Sequence, residues 1–279
     1  MTAAADAAGG TLWLVATPIG NLGDLPPRAI EMLARATLVC CEDTRRTGKL
    51  LQHAGIRPER LAVANEHTEY HRIDEVLAVL GEGGDVAVVT DAGTPGISDP
   101  GERLVRAALD AGHTVSAVPG PAAVTVALTI SGLPTDRYVF EGFLPRSGRD
   151  RAERLAALAD EPRTIVLYEA PHRIARTIAD LSDTLGDDRR IAVCRELTKL
   201  YEEVVRGTLG TIDLGAPRGE YVIVLEGRPA DDIPVDDDTI RAALRAELAG
   251  GATKKDAVAT IAANLAIPKK RAYALAIAL

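Results

Sequence analysis

Val86-Ala87-Val88-Val89-Thr90-Asp91-Ala92-Gly93-Thr94-Pro95-Gly96-Ile97-Ser98-Asp99-Pro100-Gly101, with the helical pattern that follows at residues 102–111, decides the fold. The opening apolar run, bounded by turn residues, reads as a buried strand. The next twelve residues, 90–101, exceed the roughly 2–6 expected of a strand-to-helix loop. Three glycines and two prolines in that loop fix an unusual backbone path and let a ligand approach the main chain closely. The helix is signposted at both ends. Asp99 is placed as N-cap, Pro100 suits the first helical position, Glu102 completes a capping box, and Gly112 sits where a left-handed stop belongs.

The same alternation extends outward. Strand-like runs at residues 12–16, 37–41, 61–64 and 115–118 are interleaved with helical patterns such as 28–36, which predicts an α/β layer fold with a mostly parallel sheet. After Pro119-Gly120-Pro121, a helix-like stretch at 122–130 ends at Gly132. Further runs at 138–144, 164–168, 191–194, 203–208 and 221–226 imply a second α/β domain. Its sheet should be mixed or antiparallel, because no helix separates the last two runs. Beyond them the chain reads as helical at 239–248, 253–265 and 268–279. The expected organisation is a disordered leader 1–10, an N-terminal α/β domain 11–120, a second α/β domain 121–228, a linker 229–238 and a C-terminal helical module 239–279.

Composition bounds the function. With 279 residues, 47% of them apolar, the chain is not globally disordered. Aromatics at 3% argue against a stacking platform for single-stranded RNA. Three cysteines, two adjacent, build no disulfide framework and point to a reducing compartment. No 18-residue apolar run is without charges, and residues 1–10 lack the basic start of a secretory signal. The expectation is a soluble cytoplasmic protein. The net charge of −8 is unevenly spread. Residues 250–279 hold Lys254, Lys255, Lys269, Lys270 and Arg271 against Asp256, a sum of +4 that leaves −12 for residues 1–249. From charge alone this tail is either a nucleic-acid contact or a solvated helical face.

Several signatures fail. The glycine that a P-loop needs five residues before Gly48-Lys49 is Asp43, and Gly81-Glu82-Gly83-Gly84 precedes a strand instead of following one. In His67-Thr68-Glu69-Tyr70-His71 the acid is misplaced for a zinc protease. Cys40 and Cys41 should point to opposite faces of one strand as small core residues.

Three loops carry the chemistry, each just past the carboxyl end of a predicted strand, where open α/β sheets bind ligands. They are Thr17-Pro18-Ile19-Gly20-Asn21-Leu22-Gly23-Asp24, the loop 90–101, and Val118-Pro119-Gly120-Pro121-Ala122-Ala123-Val124. Their wording resembles the ribosomal-RNA cytidine 2′-O-methyltransferase branch of the tetrapyrrole-methylase-like family. Loop 90–101 departs from the branch's signature at Thr90, where Ser is usual. The resemblance runs from about residue 12 to residue 226. It includes Cys41-Glu42-Asp43-Thr44-Arg45, Tyr168-Glu169-Ala170-Pro171-His172-Arg173, and Cys194-Arg195-Glu196-Leu197-Thr198-Lys199 with Glu202-Glu203. The basic tail resembles the helix-turn-helix-like module of that branch. The resemblance implies two α/β domains with S-adenosylmethionine in the cleft between them; methyl transfer from that donor requires no metal. Carried over by position, cofactor contacts fall at Pro18, Ile19, Asp91, Ala92, Gly93, Thr94, Ala123 and Val124, with Tyr168 from the second domain. It further implies a cytidine in the decoding region of 16S ribosomal RNA as target, the small ribosomal subunit as partner, and a homodimer.

Methyl transfer to a ribose hydroxyl is an in-line displacement that asks the protein for positioning and for a group to take or share the hydroxyl proton. Candidates facing the cleft are Asp43 (with Glu42), His67 (with Glu66), Glu196 and Lys199. Asp43 reads equally as an N-cap, and Lys199 as either a base or a phosphate partner. Phosphate-contact candidates are Arg45 and Arg46, Arg146 and Arg149 in a flexible basic loop that continues to Arg151, His172 and Arg173, and the five basic tail residues. Two other readings use the same sequence: methylation of a tetrapyrrole precursor or other small molecule, and a non-catalytic RNA-binding assembly factor.

Overall fold

The computed structural model describes residues 9–228, 236–265, 267 and 269–279. Its first half alternates β1 (Thr11–Val15), α1 (Pro27–Arg35), β2 (Leu38–Cys41), α2 (Thr44–His53), β3 (Leu61–Val63), α3 (Ile73–Gly81), β4 (Val86–Val88), α4 (Glu102–Asp110) and β5 (Thr114–Val118). The five strands form one parallel sheet in the order β3-β2-β4-β1-β5. Both faces are covered, so the strands read as continuous apolar runs. Cys41, Val39 and Ala87 pack under α1 and α2 with Leu33 and Leu51, while Cys40, Leu38 and Val88 pack under α3 and α4 with Leu80 and Leu104. The adjacent cysteines thus face opposite ways, as a strand's period of two requires.

Helix α4 departs from its sequence reading. It begins at Glu102, its N-cap is Gly101 at φ 134°, and no side chain from its own segment caps it. The cap comes from Glu69, only 4% exposed. One Glu69 carboxyl oxygen accepts from the backbone N–H of Gly101 (2.9 Å), Arg103 (3.1 Å) and Leu104 (3.2 Å). A helix's first N–H groups need acceptors, and here they come from a distant buried carboxyl. The expected Asp99–Glu102 capping box does not form, because the turn at Gly101 separates Asp99 from the helix and Glu102 bonds Arg106 at 3.0 Å.

The second half runs α5 (Ala123–Ser131), β6 (Tyr138–Phe143), α6 (Gly148–Ala159), β7 (Thr164–Glu169), α7 (Ile174–Leu185), β8 (Arg190–Arg195), β9 (Glu203–Thr208) and β10 (Tyr221–Leu225). Its sheet is ordered β6-β7-β10-β8-β9. β6 and β7 pair parallel and the other neighbours antiparallel, giving the mixed sheet expected. Helix α5 covers one face through Val124, Ala127 and Leu128 against Val166, Cys194 and Val224, and Ile19 from the first loop joins this cluster. Helices α6 and α7 supply Leu155, Leu158, Ile174 and Leu181 to the cluster that holds Ile165, Val193 and Ile223. The basic stretch at 146–151 is not a continuous flexible loop, since α6 already begins at Gly148. The Arg151 side chain is 4% exposed and bonded to Asp180 at 2.7 Å, to Thr177 Oγ1 and to the Pro145 carbonyl. Its guanidinium is an interior strut.

Helices α8 (Asp237–Ala249), α9 (Lys254–Asn264) and α10 (Lys269–Ile277) bury Ile240, Leu244, Ala257, Ile261 and Ala272 in a cluster of their own. Most of the expected leader and linker, residues 1–8 and 229–235, lies outside the described residues. Among the described residues no helix is long and apolar enough to cross a membrane.

Candidate active site

A parallel sheet sends the carboxyl ends of all its strands to one edge, and the three predicted loops meet there. Thr17 and Gly93 exchange backbone hydrogen bonds at 2.8 and 3.1 Å, and Thr17 Oγ1 donates to the Thr90 carbonyl. Thr94 Oγ1 donates to the Pro121 carbonyl at 3.4 Å, tying the second loop to the third. Gly93 and Gly96 hold φ of 85° and 82°, a region side chains rarely enter.

The second sheet and its loops close the other side. Asn21 N–H donates to Thr198 Oγ1 at 3.2 Å. Gly20 lies so close to the loop after β8 that an added Cβ would sit 2.3 Å from Lys199 Cγ. Tyr168 on β7 stands half-buried with its hydroxyl beside the Val124 backbone N–H. Both phenylalanines of the chain, Phe140 and Phe143, pack on the Tyr168 ring at 5.0 and 5.5 Å. The residues expected to contact a cofactor lie around one cleft: Pro18 and Ile19 buried in the first loop, Asp91, Ala92, Gly93 and Thr94 in the second, Ala123 and Val124 opening α5, and Tyr168 on β7. Among the described residues the non-glycine residues with positive φ are Ser98 (59°), Glu196 (51°) and Thr198 (66°). All three lie in the loops that flank this cleft, where backbone strain tends to concentrate.

The proton-acceptor candidates fare unequally. Asp43 is the N-cap of α2, accepting from Arg45 N–H at 2.8 Å, and the Arg45 guanidinium holds its carboxyl down at about 2. Glu196 accepts from Lys199 Nζ at 2.9 Å, and that bond lowers its pKa. Burial pulls Lys199 down, but the bond to Glu196 and the nearby Glu220 outweigh it and keep the ammonium protonated above its ordinary value. Thr198 N–H, not Lys199, takes up Glu202. His67 is exposed in the turn after β3, where Asn65 caps its N–H.

Sequence reasoning named Glu42 and Asp91 but missed Asp99 and Glu220 beside them, and with these the acidic character of the lining. Burial raises Glu42, whose carboxyl accepts from Asp91 N–H at 3.0 Å. Burial also raises Asp91, which meets Arg46 at 3.4 Å through one oxygen while the other, Oδ1, is buried with no hydrogen-bond partner among the described residues. Asp99 is pushed up to about 7 by burial, then by Glu42, Asp91 and Glu220. Reading Asp99 as a helix cap hid it; the signal that could have exposed it is Gly101, the residue that in fact stands at the cap position.

The predicted phosphate contacts are dispersed. Arg45 and Arg46 are exposed beside the cleft, paired with Asp43 and Asp91. Arg146, Arg149 and His172 are exposed. Arg173 turns inward, to Glu169 at 3.1 Å and the Leu144 carbonyl at 2.6 Å. In the tail, Arg271 meets Asp237 at 2.7 Å and Lys254 donates to the Ala276 carbonyl. Lys255, Lys269 and Lys270 line a groove of about 350 Å³ with Tyr273.

Residues 11–213 match the profile of the tetrapyrrole (corrin/porphyrin) methylases. Over 275 residues the chain is 46% identical to the ribosomal RNA small subunit methyltransferase I of Synechocystis sp., covering 97% of this chain and 98% of that one. It is 43% identical to the protein of the same name from Escherichia coli O157:H7, over 88% of each. Among solved structures it resembles the Thermus thermophilus uroporphyrin-III-C-methyltransferase (21% identity, TM-score 0.53, 77% of this chain and 94% of that one). It also resembles the methyltransferase CobJ (19%, TM-score 0.61, 78% and 94%).

Proposed function

From the premise that this chain belongs to the tetrapyrrole (corrin/porphyrin) methylase family, we propose that it methylates the 2′-hydroxyl of a cytidine ribose in the decoding region of 16S ribosomal RNA. It would do so on the small subunit, in the cytoplasm and as a homodimer, with residues 11–120 and 121–228 as the two lobes of the cleft. The observation that carries the reading is the extent of likeness. A relative named as a small-subunit ribosomal RNA methyltransferase matches 97% of the chain, whereas the tetrapyrrole enzyme and CobJ leave about a fifth of it unmatched though 94% of each is covered. A small-molecule methylase has no use for three lysines around a tail groove; a phosphate backbone does.

S-adenosylmethionine is the cofactor, and it supplies a methyl group already activated on a positively charged sulfur. The residues present fit it. Among the described residues Asp91 Oδ1 is a buried acceptor without a donor, and Glu42, Asp91 and Glu220 make the cleft acidic, which favours a cationic ligand. Backbone groups of 92–94 and of Pro18, Ile19, Ala123 and Val124 would hold it, with Tyr168 opposite. Bridged loops fix those groups before anything binds, so little ordering remains to oppose in-line alignment. Lys199, held cationic by Glu196, suits a phosphate of the incoming RNA. Arg46 stands at the same mouth.

The test is analytical. In a strain deleted for the gene, digestion of small-subunit RNA and mass spectrometry should show one 2′-O-methylcytidine lost, and the wild-type gene should restore it. An unchanged set of modified cytidines contradicts the reading.

A further inference from the structure

We infer that Asp99 is the catalytic residue that takes the proton from the hydroxyl being methylated; this rests on reading the cleft as a ribose 2′-O-methylation site.

Asp99 would ordinarily be spent on the N–H groups of α4, but Glu69 fills that role from the far side. Gly101, at φ 134°, turns the chain between Asp99 and the helix. Ser98, at φ 59°, turns it again on the other side. Asp99 is thereby held half-buried on the ligand loop, and among the described residues its carboxyl has no hydrogen bond or ion pair.

The charged and titratable groups it feels come from both sheets. They are Glu42 after β2, Asp91 on its own loop, Glu220 before β10 and Tyr168 on β7, whose hydroxyl burial and then Asp99 push up to about 12. The cations near that ring are already engaged, Arg46 by Asp91 and Lys199 by Glu196 and Glu220. The other carboxylates each hold a partner: Glu42 the Asp91 N–H, Asp43 Arg45, Glu196 Lys199, and Asp91 Arg46 through Oδ2, its Oδ1 being buried and without a partner among the described residues. Asp99 is left as an acceptor that is unpaired, in the cleft, and close to neutrality in proton affinity. Such a match to the working pH suits a general base.

The step balances. A lone pair of the hydroxyl oxygen forms the new O–C bond, the C–S bond breaks with its electron pair passing to sulfur, and the hydroxyl proton passes to an Asp99 oxygen. A neutral carboxylic acid remains, and it loses the proton to water when the product leaves.

The experiment compares wild type, Asp99→Asn and Asp99→Glu in three readouts. These are methyl transfer to small subunits against pH, donor affinity by calorimetry, and ¹³C titration of aspartate carboxyls in the cofactor-free protein. A carboxyl titrating near neutral pH should appear in the wild type and vanish in Asp99→Asn. Transfer by Asp99→Asn should fall about 10²–10⁴-fold and lose its acidic limb. Donor affinity should stay within about threefold, and Asp99→Glu should recover part of the rate. Wild-type transfer matched by Asp99→Asn overturns the proposal alone. A matching loss of donor affinity assigns Asp99 to cofactor binding and also overturns it. Absent wild-type transfer to ribose, with donor bound, overturns the reading beneath it. The titration needs no variant to be active, so a carboxyl set titrating wholly near 4 contradicts the assignment even if Asp99→Asn fails to fold.

Discussion

At the scale of single residues, Asp99 links the chemistry of the cleft to the stability of the fold. Its folded-state pKa, about 7, lies above its ordinary 3.8. Between those values the folded protein holds a proton that the unfolded chain has released. The stability this contributes is complete below about 4 and is lost as pH rises through about 7. Asp99→Asn should therefore leave the Tm near that of the wild type at about pH 4 and raise it at pH 8 by a few degrees, at about 2–4 °C per kcal/mol, solvent screening at this part-exposed site reducing the full linkage effect. Melting curves at the two pH values check this; a Tm lowered at pH 8 would mean that Asp99 makes a stabilising contact. The residue scale also shows where sequence reading stops. Asp99 fits an N-cap by every local rule, yet the acceptor that won, Glu69, lies 32 positions earlier in the chain relative to Gly101. Local propensity cannot see a competitor brought in by tertiary structure. Composition is silent on placement in a similar way. Aromatics at 3% argue against a platform, but an average says nothing of position, and both phenylalanines gather on Tyr168.

Among the elements, strands and helices were legible because buried parallel strands are continuous apolar runs and the helices between them are amphipathic. The run at 203–208 coincides with β9 (Glu203–Thr208), and the split of Cys40 and Cys41 between two faces followed from the period of a strand. Strand order was not legible, since β10 slots between β7 and β8 on contacts that no local pattern encodes. The basic character of 146–151 was legible as charge but not as burial. Arg151 is drawn inward by Asp180 and Thr177 on α7, about 30 residues along the chain. At this scale Glu69 is the element to test. Glu69→Ala removes the acceptor for three N–H groups at the start of α4 and should cost about 2 kcal/mol in denaturant unfolding. Donor binding should weaken too, because α4 anchors the ligand loop. Glu69→Gln keeps an acceptor and should retain more than half of that stability.

The whole molecule joins an acidic, cation-accepting cleft to a basic module, and the charge asymmetry read from the sequence acquires a physical sense in that division. The tail's charge has two uses. Arg271 and Lys254 bind within the module, while Lys255, Lys269 and Lys270 surround an exposed groove with Tyr273. Replacing those three lysines with Glu should leave S-adenosylmethionine affinity unchanged, raise KM for small subunits at least tenfold, and lower the log–log salt slope of subunit binding by about 2–3. An unchanged slope would make the groove a solvated face. The most direct measurement of the account is methyl transfer from labelled S-adenosylmethionine to small subunits purified from a strain lacking the modification, with naked RNA, free cytidine and a porphyrinoid precursor alongside. The account predicts label recovered as 2′-O-methylcytidine from the subunits alone. Label on the porphyrinoid, or none on the subunits while the donor is demonstrably bound, would contradict it.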